Sequence, residues 1–115
     1  MLLLYGAGGN TSAGNDLMDF LYAEVPSPEE TGKMLWDHIK FPKPIFALVQ
    51  GCCFGIASTL TSHADFVYCS DDAFFKIPFM TLNLCPEGLA TIKMPELLGR
   101  RKAAEMIFLE EKLTA

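Results

Sequence analysis

Ile45-Phe46-Ala47-Leu48-Val49, closed by Gln50-Gly51 and followed by the stretch from Gly55 to His63, decides the fold. The apolar run has the length of a buried strand, and Gly51 ends it. Residues 55–63 then predict a helix. Beyond it, Asp65 to Cys69 and Ala73 to Lys76 predict two more strands, separated by Ser70-Asp71-Asp72. Strands alternating with helices place the chain in the α/β class.

The pattern extends in both directions. Leu2 to Tyr5 is a further apolar run, stopped by Gly6-Ala7-Gly8-Gly9, and reads as a strand entering a loop. Asn15 or Asp16 can cap a short helix through Leu17, Phe20 and Leu21, which Val25-Pro26-Ser27-Pro28 breaks. Ser27 then precedes Pro28, Glu29 and Glu30, a cap, a first-turn proline and two acids at the positive end of a helix. Met34, Leu35, His38 and Ile39 recur at helical spacing in that segment. Phe41-Pro42-Lys43-Pro44 ends it, because a residue before proline avoids the helical region. Downstream, Thr81 to Gly88 reads as a loop around Pro86, and Ala90 to Leu98 and Arg100 to Glu111 as helices joined at Gly99.

Composition narrows the function classes. A length of 115 residues allows one domain, and 50% hydrophobic content with 11% aromatic residues excludes disorder. Nine Gly and four Cys exclude collagen and a disulfide scaffold. Fourteen acidic residues against nine basic ones give a net charge of −5, which argues against nucleic acid or an anionic membrane as partner. Arg100-Arg101-Lys102 reads as a solvated helix start. No apolar run approaches a membrane span, and Met1 to Gly6 lacks the basic and apolar regions of a signal peptide. Leu113-Thr114-Ala115 is not a peroxisomal tripeptide. Cys52, Cys53, Cys69 and Cys85 lack the spacing of a zinc site, so no metal is expected, and they read as reduced and mostly buried. Charged residues make up 20%, below the roughly 25% of soluble domains, and mean hydropathy is +0.25.

Few residue clusters offer chemistry. Gly6-Ala7-Gly8-Gly9 fails as a phosphate loop, since Thr11 stands where the third glycine belongs and no Gly-Lys-Ser/Thr follows. Ser62-His63-Ala64-Asp65 sets triad residue types side by side, but adjacent residues do not face one another in a helix. His38 lies on an apolar stripe and reads as a packing residue. Glu87 differs, because Leu84-Cys85-Pro86-Glu87-Gly88-Leu89 surrounds it with uncharged residues. Desolvation there would raise its pKa toward the range useful for proton transfer. An N-cap role for the next helix is the structural alternative. Ser12-Ala13-Gly14-Asn15-Asp16 and Gly51 to Ile56 are small-residue turns that lead into helices and leave N–H groups free for an anion. Two such turns and one buried carboxylate are the parts that enolate chemistry needs.

These three segments, in this order, resemble the enoyl-CoA hydratase/isomerase (crotonase) superfamily. Ser12-Ala13-Gly14-Asn15-Asp16-Leu17, Lys43 to Gly51, Ala64 to Ser70 and Phe75-Lys76-Ile77-Pro78-Phe79 carry the resemblance. Within it, Pro86-Glu87-Gly88, Met94-Pro95, Ala103-Ala104-Glu105-Met106 and Lys112-Leu113-Thr114-Ala115 resemble the peroxisomal type of Δ3,Δ2-enoyl-CoA isomerase.

The resemblance implies an α/β, crotonase-like ββα-spiral core truncated at both ends, with residues 1–115 a partial domain. It implies that Glu87 is the catalytic acid/base and that the backbone N–H groups of Asn15 and Ile56 form an oxyanion hole. Ser12, Ala13, Gly14, Asn15, Asp16, Gly55 and Ile56 would bind acyl-CoA. The substrate thioester would be the partner and carry its own coenzyme A, with no further cofactor, nucleic acid or membrane. Hydratases of the superfamily use two glutamates, at positions held here by Thr59 and Phe79. That departure implies a single-glutamate isomerase of fatty acid β-oxidation, homotrimeric, in the peroxisome or mitochondrion. The alternatives are a non-catalytic coenzyme A-binding or interaction module of chromodomain-Y-like type, and an inactive fragment. A partial domain would also leave apolar surface exposed.

Overall fold

The computed structural model describes residues 1–18 and 28–115. In chain order the elements are β1 (Leu2–Tyr5), α1 (Pro28–Ile39), β2 (Ile45–Val49), β3 (Cys52–Phe54), α2 (Ile56–Thr61), β4 (Phe66–Cys69), β5 (Phe74–Lys76), α3 (Ala90–Leu98), α4 (Arg100–Phe108) and β6 (Leu113–Thr114). Phe20, Leu21 and Ser27, which the sequence assigns to a short helix and a cap, lie outside the described residues.

The order contains a repeat. Two strand-strand-helix units follow one another, β2-β3-α2 and β4-β5-α3. Their first strands pair in parallel, with Phe46 beside Phe66 and Val49 beside Cys69. Their second strands also pair in parallel, with Cys52 beside Phe74. The result is two three-stranded sheets, β1-β2-β4 and β3-β5-β6. Gly51 makes the step between sheets. It is buried at a φ of 53°, and a side chain there would collide with Asn10 and the Gly9 carbonyl.

The sequence reading missed β3 and β6. β3 is three residues long between Gly51 and Gly55, and β6 is two residues long. Neither is long enough to show a period-2 pattern. Helix α4 also stops at Phe108, short of Glu111, because the backbone turns left-handed at Glu110 (φ 54°).

The core has two parts. Ile77, Phe79, Ala90, Met94, Ala103, Met106 and Ile107 fill the space beneath α3 and α4. Ala47, Val49, Cys53 and Ala73 pack between the sheets. The Ser62 to Asp65 cluster disperses, as adjacent residues should: the Asp65 carboxylate accepts the Ile45 N–H at 2.8 Å, and His63 turns elsewhere. His38 packs α1 against α2, its Nε2 3.1 Å from the Leu60 carbonyl oxygen. Burial holds its pKa below the ordinary imidazole value, against the pull of that carbonyl.

The expected exposed apolar surface is present. Alternation in β1, β2 and β4 sends Leu3, Tyr5, Leu48, Phe66 and Tyr68 to the exposed outer face of the first sheet. Phe46 stacks on Phe66 there at 4.7 Å. The cysteines need a correction. All four are free thiols, but only Cys53 is buried, and Cys69 and Cys85 are exposed. Cys69 ends the edge strand β4, whose residues are all exposed, and Cys85 lies in the loop before Glu87.

Candidate active site

The two small-residue turns meet because the first docks on β3. Ser12 forms a parallel bridge with Cys53, its N–H donating to the Cys52 carbonyl at 3.1 Å. Its own carbonyl accepts the Phe54 N–H at 3.0 Å. Gly14 follows at a φ of 91°, where a Cβ would lie 3.0 Å from the Phe54 carbonyl oxygen. Only glycine fits that approach without strain. Asn15 therefore lies beside the end of β3, where Gly55 turns the chain (φ 56°) into α2. Ile56 opens α2, so its N–H has no acceptor within the helix. Among the described residues the N–H groups of Asn15 and Ile56 meet no acceptor.

The third component comes from the loop after β5. Asn15, Ile56, Phe79, Thr81, Leu84 and Glu87 all line one cleft of about 420 Å³. Ala13, Gly14 and Gly55 line it as well. Glu87 is half-buried, and desolvation pushes its pKa above the ordinary glutamate value. Among the described residues no hydrogen bond or ion pair reaches its carboxylate. It does not cap α3 either, since the residue before that helix is Leu89, with no side-chain capping bond. No other carboxylate lines the cleft among the described residues.

Ser12 and Asp16 do not line this cleft. The Ser12 hydroxyl accepts the Gly14 N–H at 3.1 Å, and the Asp16 carboxylate accepts the Met18 N–H at 2.9 Å. Both shape the turn that presents Gly14 and Asn15. Thr59 is fully buried, and its hydroxyl donates to the Ile56 carbonyl at 2.9 Å. Phe79 is a buried wall of the cleft. Neither supplies an acid or base.

Sequence reasoning missed three residues that hold the Glu87 loop. His63 contacts the Gly88 carbonyl, and Glu110 grips Thr81. Thr59 lies under Gly88. These partners are 25 to 29 residues apart in the chain and leave no local pattern.

The arrangement can be set beside known proteins. The sequence model described as Enoyl-CoA hydratase/isomerase matches residues 2–115. Enoyl-CoA delta isomerase 2 of Rattus norvegicus is 40% identical over 96% of this chain and 30% of its own length. Enoyl-CoA delta isomerase 3, peroxisomal, of Mus musculus is 38% identical over 96% of this chain and 37% of its own. A solved structure from Magnetospirillum magneticum AMB-1, provisionally described as an enoyl-CoA hydratase/carnithine racemase, superposes with a TM-score of 0.90 at 39% identity. It covers 98% of this chain and 45% of that one. The chain thus spans about a third of the length of these curated relatives.

Proposed function

Because the chain belongs to the enoyl-CoA hydratase/isomerase family, we propose that it converts a 3-enoyl-CoA to the trans-2-enoyl-CoA by a single-glutamate proton shuttle. The observation that carries this reading is one half-buried carboxylate, Glu87, in a cleft shared with Asn15 and Ile56. The thioester oxygen accepts hydrogen bonds from the N–H groups of Asn15 and Ile56. Glu87 removes a proton from C2, and the electron pair delocalises over the thioester and the C3–C4 double bond as a dienolate. The protonated Glu87 returns the proton to C4, and the double bond settles between C2 and C3. The N–H donors act by stabilising the oxyanion, where one donor is typically worth a factor of roughly 10²–10³ in rate.

Glu87 suits both steps because burial raises its pKa. A base with a higher pKa takes a carbon-bound proton more readily, and the protonated form persists long enough to return it. Hydration needs a second group to activate water, and Thr59 and Phe79 offer none. Coenzyme A enters as part of the substrate. The same reading places the reaction in fatty acid β-oxidation, and the peroxisomal mouse relative supports that compartment. It also includes assembly as a homotrimer.

The test is the absorbance of the conjugated enoyl thioester formed from 3-hexenoyl-CoA, with hydration of crotonyl-CoA as the contrast. Isomerisation without hydration is expected. Binding of coenzyme A with no turnover would replace the isomerase with a binding module.

A further inference from the structure

The turn that carries Glu87 is held by one face of α2. His63 follows the end of that helix, and its Nε2 lies 2.6 Å from the Gly88 carbonyl oxygen. A carbonyl can only accept, so Nε2 carries the proton and donates it. Thr59, within α2, packs against the same glycine. A Cβ on Gly88 would sit 3.2 Å from the Thr59 Cβ. Thr59 cannot swing aside, because it is fully buried and its hydroxyl is bound to the Ile56 carbonyl. Gly88 is therefore held between a steric floor and a hydrogen-bond donor.

The backbone around it is tightly specified. Gly88 and Leu89 have φ values of 58° and 59°. A leucine takes that left-handed conformation only where its surroundings impose it. The Glu87 carbonyl accepts the Ala90 N–H at 3.0 Å. Because no hydrogen bond among the described residues holds the Glu87 carboxylate, its aim depends on the backbone that carries it.

We propose that His63 is a positioning residue for Glu87: its donation to the Gly88 carbonyl fixes the Glu87-Gly88 turn against α2, the helix that opens with Ile56. The kinetic consequence rests on the isomerase reading, and the geometric consequence does not. Misplacing a reacting group by about an ångström can cost roughly 10²-fold in rate while leaving binding contacts intact. His38 touches the same helix at Leu60 and lies close enough to feel the charge of His63, yet it makes no hydrogen bond to Gly88, so it serves as a control for helix packing and for loss of a neighbouring imidazole.

The experiment compares His63→Leu, His63→Gln and His38→Leu in two assays. One is isomerisation of 3-hexenoyl-CoA. The other is the pH titration of the Glu87 carboxyl carbon by ¹³C NMR, assigned by its loss in Glu87→Gln. In His63→Leu, kcat should fall about 10- to 100-fold with KM within about twofold. The Glu87 titration should move down toward the ordinary carboxylate range as the turn loosens into water. His63→Gln, whose amide can still donate, should recover most of both, and His38→Leu should change neither. Should His63→Leu fail to fold, His63→Asn, polar but too short to reach Gly88, takes its place. Parental kcat and titration in the Leu or Asn variant overturn the proposal, as does a loss that Gln does not rescue and His38→Leu shares. If the parent protein does not isomerise 3-hexenoyl-CoA, the isomerase reading fails. The titration then decides the role of His63 alone.

Discussion

Glu110 holds Thr81 with both carboxylate oxygens, one on the Thr81 N–H and one on its hydroxyl, each at 2.6 Å. Thr81 lines the cleft and Glu110 follows α4, so this pair ties the cleft wall to the helical layer behind it. Glu110 adopts a φ of 54°, an uncommon conformation for a residue with a side chain.

That grip gives stability an acid limb. Partial desolvation pulls the Glu110 pKa up, but the two bonds from Thr81, with Lys76 and the Met80 backbone nearby, outweigh it and hold it below the ordinary value. A carboxylate with a lowered folded-state pKa stabilises the fold above its unfolded pKa, and that contribution is lost as pH falls through the folded value. Glu110→Gln should therefore unfold at a lower temperature than the parent near neutral pH. The two should converge in acid. Thermal unfolding followed across pH checks this, and a constant difference at all pH values would contradict it.

Glu87 carries the opposite sign. Its raised pKa means that the folded state binds a proton more tightly than the unfolded chain does. Its ionisation thus costs stability as pH rises from the ordinary glutamate value through the raised one. Glu87→Gln should be slightly more stable than the parent at neutral pH, while isomerase turnover falls by roughly 10²–10⁴. Turnover of the parent should rise with pH through the same range, as the base form appears. Thermal unfolding and a pH–rate profile on the two proteins separate these effects.

How much of this was legible follows from where the signals lie. β2 and β4 read plainly, because each is a continuous apolar run, although only β2 has buried positions and β4 is exposed along its length. Glu87 stood out because its neighbours carry no charge, and its burial in the fold is the cause of its raised pKa. The turn at Gly55 was legible from small residues preceding a helix, and the Ser12 to Asp16 turn from its small residues, the helix expected after it lying outside the described residues. What the sequence could not supply was pairing across distance. The Ser12–Cys53 bridge, the His63–Gly88 bond and the Thr81–Glu110 pair depend on tertiary contact between separate segments. His63 in particular reads as a helix end whichever residue it touches. The exposure of Cys69 depends equally on what lies over β4.

Gly14 tests whether the first turn needs its close approach to β3. A substituted Ala would keep a φ of 91° only under strain and would press on the Phe54 carbonyl. The left-handed conformation alone costs an L-residue about 1–2 kcal/mol. Gly14→Ala should lower stability by at least that amount and weaken acyl-CoA binding, because Asn15 moves with the turn. Gly8 has a comparable φ of 98° but nothing within 4 Å, so Gly8→Ala should lose stability without losing binding. Denaturant unfolding and calorimetric titration with an acyl-CoA compare the pair.

The outer face of the first sheet makes the last expectation. Tyr5 and Tyr68 are 69% and 59% exposed, and Leu3, Leu48 and Phe66 continue the patch between them. Parallel sheets are ordinarily covered on both faces, and a contiguous apolar patch of this kind drives association. β4 adds to this, since among the described residues it lies at the sheet edge with one side of its backbone unpaired by another strand. The chain alone should therefore self-associate with rising concentration and bind a hydrophobic dye. A lysine on the patch opposes both, because its charge cannot be buried against another apolar face without a large desolvation cost. Tyr68→Lys and Leu48→Lys should each reduce association and dye binding while leaving the cleft intact, since neither residue lines it. Light scattering over a concentration series measures the effect. Equal association by the parent and both variants would locate the sticky surface elsewhere.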